Sequence, residues 1–137
     1  MAKTLIAPAH EPRHPSMRLA VQACIDLARM QVEDERRKVR IIARVHKLEP
    51  NILLGERFGY EALILNGKPV VVFFRGQVVC RLIGYEATQL IRGDKATWWR
   101  LPGKKEACAD WVMLNRKLPV GEIATWAERA VVQVGVA

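Results

Sequence analysis

The chain has 137 residues, 50% of them hydrophobic, which is the size and apolar content of one globular domain with a core of its own. A charged fraction of 26% beside 9 Gly and 7 Pro excludes a disordered, collagenous or low-complexity chain. Basic residues outnumber acidic ones 22 to 14, a net charge of +8, which favours a polyanionic partner. The excess is not a tail, because residues 1–50 hold 10 basic and 6 acidic groups and residues 51–137 hold 12 and 8. The longest apolar run, Pro69 to Phe74, is far short of the roughly 20 residues that span a bilayer. Leu5-Ile6-Ala7 is likewise too short for the ~7 to 15-residue apolar region of a signal peptide. The expectation is a cytoplasmic protein with no membrane partner. Three cysteines, Cys24, Cys80 and Cys108, are an odd number with no C-x-x-C pair, so no disulfide framework is expected. Cys24 and Cys80 read instead as small buried apolar residues.

Residues 1–15 contain Pro8, Pro12 and Pro15, which lack backbone donors, and read as a flexible leader ahead of a single domain over residues 16–137. Ser16 is placed to cap a helix whose core face carries Met17, Ala20, Val21, Cys24, Leu27 and Ala28 at three- and four-residue steps. The block Glu33-Asp34-Glu35-Arg36-Arg37-Lys38 puts acids before bases, the order that favours pairing on a solvated helix. Beyond it Val39, Ile42, Ala43 and Val45 continue a helical face to Leu48, before Pro50. Alternation of Val39, Ile41, Ala43 and Val45 also suits a strand, but the good helix formers that precede it favour helix.

From Phe58 onward strand formers dominate. Tyr60–Leu65, Lys68–Phe74 and Gln77–Ile83 are expected to form an antiparallel meander whose first turn, Asn66-Gly67, suits type I′ geometry. A short helix over Tyr85–Arg92 closes with Gly93 at C′. Ala96–Leu101 and Asp110–Leu114 follow as strands around Pro102-Gly103-Lys104-Lys105. Pro119 opens a last helix with Ile123, Trp126, Ala127 and Ala130 on one face. The expected fold is α+β: N-terminal helices, a five-stranded antiparallel sheet with a meander, and a C-terminal helix.

His10-Glu11-Pro12-Arg13-His14 matches the letters of the zinc-protease motif H-E-x-x-H, which needs both imidazoles on one helical face. Pro12 inside the turn and Pro15 after it break that geometry, so no metal and no cofactor are expected. His46 reads as a surface residue. One Ser, three His and no glycine-rich phosphate loop give no catalytic constellation, and no enzyme activity is expected. What remains is a strip with cations for phosphates and aromatic planes for bases: Arg92, Lys95, Trp98, Trp99, Arg100, Lys104 and Lys105. On a strand Trp98 and Trp99 point to opposite faces, so one is core and the other needs a cover or a partner.

The succession Phe58-Gly59-Tyr60, Leu63-Ile64-Leu65-Asn66-Gly67-Lys68, an apolar strand, Gly76, Val78 to Leu82, a short helix, and Trp111-Val112 before a Trp-bearing helix resembles the TfoX N-terminal domain and the similar MmcQ/YjbR-like proteins. The resemblance covers about residues 47–132 and is most specific over Phe58–Lys68. It implies a small α+β fold with an antiparallel sheet and a DNA-associated or regulatory role without known enzyme activity. The expected function is therefore a nucleic-acid-binding or regulatory module. The alternative is a protein-interaction or oligomerisation module. Leftover apolar surface on the N-terminal helices points to a homodimer formed through them.

Overall fold

Two-residue turns set the order of the first four strands. The computed structural model describes residues 15–136, with side chains from Ala20 to Gly135. Residues 1–14 of the expected leader, with the His10–His14 match, lie outside them. The elements are α1 (Pro15–Leu48), β1 (Leu53–Arg57), β2 (Tyr60–Leu65), β3 (Lys68–Phe74), β4 (Gln77–Arg81), α2 (Tyr85–Arg92), β5 (Ala96–Trp98), β6 (Trp111–Leu114) and α3 (Val120–Val136). Asn66 (φ 52°) and Gly67 (φ 77°) both take the positive φ that a type I′ hairpin needs. Phe58-Gly59 and Arg75-Gly76 repeat the pattern, so β1 to β4 form one meander.

The sheet has six antiparallel strands in the order β1-β2-β3-β4-β6-β5, one more than expected. The additional strand is β1. Leu53-Leu54-Gly55-Glu56-Arg57 buries no side chain and shows no alternation, because its place is set by the backbone ladder to β2, from Leu53 opposite Ile64 to Arg57 opposite Tyr60. Strand β4 stops at Arg81 and β5 at Trp98, short of the expected Ile83 and Leu101. After Trp98 the chain leaves as a flap over residues 99–110, tied back where the Trp99 N–H donates to the Trp111 carbonyl (3.0 Å) and the Cys108 N–H to the Trp99 carbonyl (2.8 Å).

The chain divides into two units, Met1–Glu33 and Asp34–Ala137. In the first, the described part is helix alone, beginning at Pro15 rather than after a Ser16 cap. No side chain from Ala20 to Glu33 is buried, and Leu27 is 54% exposed. This corrects the expected core face from Ala20 to Ala28, Met17 lying outside the described side chains: the described part of this unit has no second layer to bury a stripe against. Cys24 is exposed for the same reason.

The second unit has a core on each face of the sheet. On one, Leu63, Leu65, Val71, Val78, Cys80, Val112 and Leu114 pack with Ala87 and Leu90 of α2 and with Ile123, Ala127, Ala130 and Val134 of α3. The part of α1 in this unit contributes Ile41 and Val45, one turn apart and both fully buried, whereas Val39 and Ala43 stay exposed. Full burial of such side chains stabilises by ~1.5–3 kcal/mol each. The opposite face carries Ala62, Val72, Phe74, Val79, Trp99 and Trp111, covered by Leu101 and Cys108 of the flap. No helix among the described residues is long and apolar enough to cross a membrane.

Candidate nucleic-acid interface

The expected strip begins where α2 ends. Gly93 is the C-cap, with φ −86°, and the left-handed residue is Asp94 (φ 57°), which corrects the expected Gly93 at C′. The Asp94 N–H donates to the Ile91 carbonyl (3.2 Å) and the Lys95 N–H to the Leu90 carbonyl (2.9 Å), the paired bonds of a Schellman motif. Aspartate is one of the few residues that tolerate this conformation. The motif turns the chain sharply from α2 into edge strand β5.

Along β5 the side chains alternate. Ala96 and Trp98 lie opposite Leu114 and Val112, on the helix-covered face, and Thr97 lies opposite Met113 on the other. Trp98 is 44% exposed at the sheet edge. Trp99 is fully buried and is thereby removed from the candidate surface. It stands at the centre of an aromatic cluster, edge-on to Phe58, Phe74 and Trp111 with ring centroids 5.6, 5.5 and 5.9 Å away. Its indole N–H meets no acceptor among the described residues.

The cations divide as well. Lys95 pairs with Glu122 of α3 at 2.8 Å, and that hydrogen bond holds the Glu122 carboxyl below its ordinary value. Arg92, Arg100, Lys104 and Lys105 are exposed and form no ion pair among the described residues. Arg100, Lys104 and Lys105 share the flap, and Arg92 sits on the last turn of α2. Of the expected strip, Arg92, Trp98, Arg100, Lys104 and Lys105 remain as exposed candidates, while Lys95 is paired with Glu122 and Trp99 lies in the core.

Two further groups of cations are invisible to a reading of consecutive residues. Arg57 stacks over Phe58 and Arg75 over Phe74, with the guanidinium carbons 4.7 and 5.1 Å from the ring centroids, so the aromatic cluster carries cations at its rim. Asp34 accepts from Arg116 at 2.5 Å and from Arg37 at 3.2 Å, and both guanidiniums also reach the Gly76 carbonyl. One carboxylate thus faces two arginines, one of them 82 residues away in sequence. The hairpin tripeptides Arg57-Phe58-Gly59 and Phe74-Arg75-Gly76 are the sequence signal for the first group. The second has none.

The chain matches no family model, no curated protein and no solved structure.

Proposed function

We propose that the protein is a cytoplasmic, non-enzymatic binding module, similar to TfoX N-terminal domains, that holds nucleic acid along the edge formed by the end of α2, β5 and the flap. The observation that carries this is that α2's last turn and the flap, which flank β5 in the chain, carry four exposed cations with no ion pair among the described residues, and that β5 carries the half-exposed Trp98. Phosphates are met by Arg92, Arg100, Lys104 and Lys105, and a base or sugar by the Trp98 ring. The resemblance over Phe58–Lys68 supports the same role.

The test is a titration of a labelled single-stranded oligonucleotide over a salt series. Affinity falls steeply with salt, and the double substitution Lys104→Ala, Lys105→Ala lowers the slope of log affinity against log salt by about one unit for each phosphate that is no longer neutralised. Trp98→Ala weakens binding by ~1–3 kcal/mol because the base has no ring to stack on. Affinity that ignores salt and both substitutions contradicts the proposal.

One observation favours the oligomerisation alternative: Leu27, Met30 and Val32 of α1 are 54%, 43% and 51% exposed. A homodimer through α1 would cover them. Light scattering at micromolar concentration separates the cases, since a monomer gives the 15.5 kDa of one chain and a dimer twice that.

A further inference from the structure

The tight turns of the meander are not built alike. Asn66-Gly67, at one end of the sheet, puts in its first position a residue type that accepts positive φ. At the other end the same position holds Phe58 (φ 57°) between β1 and β2, and Arg75 (φ 50°) between β3 and β4. Bulky side chains rarely take this conformation, and strain of this kind gathers at ligand clamps. Both strained turns share a second feature, a guanidinium laid over an aromatic ring: Arg57 over Phe58 at 4.7 Å and Arg75 over Phe74 at 5.1 Å.

The two stacks lie on one face of the sheet. Tyr60 pairs with Arg57 across the ladder and meets Phe74 edge-on at 4.8 Å, and Phe58 and Phe74 both meet Trp99. Strands β1 and β3 flank β2, so the two tips stand roughly 10 Å apart at the usual strand spacing. Glu56 and Glu61 pair on the opposite face, because side chains alternate along a strand. The Asp34 carboxylate beside Gly76 is taken by Arg37 and Arg116. Arg57 and Arg75 are exposed and form no ion pair among the described residues.

The ring beneath each guanidinium fixes its plane and leaves N–H groups at its edge free to donate. Phe58 has Arg57 on its face and Trp99 edge-on, so this end of the sheet offers a ligand the guanidinium rather than the ring. A pair of fixed forks facing no carboxylate suits phosphate. Arg100 follows Trp99 in the chain, so the basic flap begins against the same cluster whose rim carries Arg57 and Arg75. Resting on the reading that the flap holds a single strand of nucleic acid, we infer that the strand continues over the two hairpin tips, where Arg57 and Arg75 each hold a backbone phosphate. The strained turns aim both forks at one face. These contacts position the strand without reading its sequence, since every nucleotide presents the same phosphate.

The test is a salt-series titration of the full chain with a single-stranded oligothymidylate of about 12 nucleotides, within the range of single-strand sites. Arg57→Gln, Arg75→Gln weakens binding at low salt by about tenfold for each guanidinium removed, and lowers the slope of log affinity against log salt by about one unit for each. Arg57→Lys, Arg75→Lys restores the slope, because the charge is back, and leaves affinity below that of the parent chain, because the fork is not. Arg75→Asn installs a residue type that accepts the left-handed conformation, so it melts no lower than the parent and still binds more weakly. Lower melting with unchanged affinity marks a purely structural arginine and counts against the inference. If Arg57→Gln, Arg75→Gln changes neither affinity nor slope while Lys104→Ala, Lys105→Ala does, the inference falls and the flap reading stands. The opposite pattern keeps the hairpin contacts and removes the flap. If the parent chain shows no salt-dependent binding, or no variant changes it, both fall.

Discussion

Trp98 and Trp99 are neighbours in sequence with opposite fates, and the difference is measurable. Trp99 is fully buried against Phe58, Phe74 and Trp111, so Trp99→Ala is expected to cost about 3–5 kcal/mol in urea denaturation. Trp98→Ala, at a half-exposed edge, changes stability by less than about 1 kcal/mol. Trp99→Phe costs far less than Trp99→Ala, because it keeps an aromatic ring and removes a buried N–H that has no acceptor among the described residues. Gly67 and Gly76 form a second matched pair. Both have φ near +80°, so alanine is strained at either by roughly 1–2 kcal/mol. At Gly67 a Cβ meets open space, whereas at Gly76 it runs into the Asp34 carboxylate and the Arg116 guanidinium, so Gly76→Ala is the more damaging. Thiol labelling of the native protein follows the same logic. Cys24 reacts first, and Cys80 reacts only on unfolding, because complete burial pushes its pKa up to about 12.

At the scale of the elements, the ion pairs set the pH limits. The hydrogen bond to Glu61, at 2.5 Å, holds the Lys38 pKa above 10.5, with burial opposing and Glu35 assisting. A raised pKa means that this stabilisation is complete below 10.5 and fades as pH rises through the folded value. Glu122 is held below 4.5 by Lys95, so its contribution is present above 4.5 and fades as pH falls through the folded value. Thermal melts of Lys38→Met against the parent chain should therefore converge at strongly alkaline pH, and those of Glu122→Gln should converge at acid pH. Strand β1 gives the other element-scale prediction. It buries no side chain and is the terminal strand of the sheet, so its amides should exchange with solvent earlier than those of β3 and β4. This is also why sequence does not reveal it. The Asn66-Gly67 turn and the Val-rich β3 announce themselves by dihedral demand and composition, but β1 exists because β2 offers it a ladder. The stripe on α1 shows the converse, since amphipathic spacing from Met17 to Ala28 is real but says nothing of what is there to cover it.

For the molecule as a whole, legibility follows sequence distance. The basic residues of the flap are close together in the chain, so a scan of neighbours finds Arg100, Lys104 and Lys105. It cannot see that Glu122, 27 residues away, neutralises Lys95, or that Asp34 draws Arg116 and Arg37 together. Pairing thus engages part of the basic residues within the fold, whereas Arg92, Arg100, Lys104 and Lys105 form no ion pair among the described residues and make up the candidate surface. The most direct measurement is a nuclear magnetic resonance titration of the full chain with a short single-stranded oligonucleotide at low salt, following backbone amides and the four indole N–H signals. The predicted result is that the Trp98 indole and the amides of Arg92, Arg100, Lys104 and Lys105 shift together and recover on adding salt, while the Trp99 and Trp126 indoles stay in place. Shifts confined to α1 or α3, or no shift at any of these residues, would contradict it.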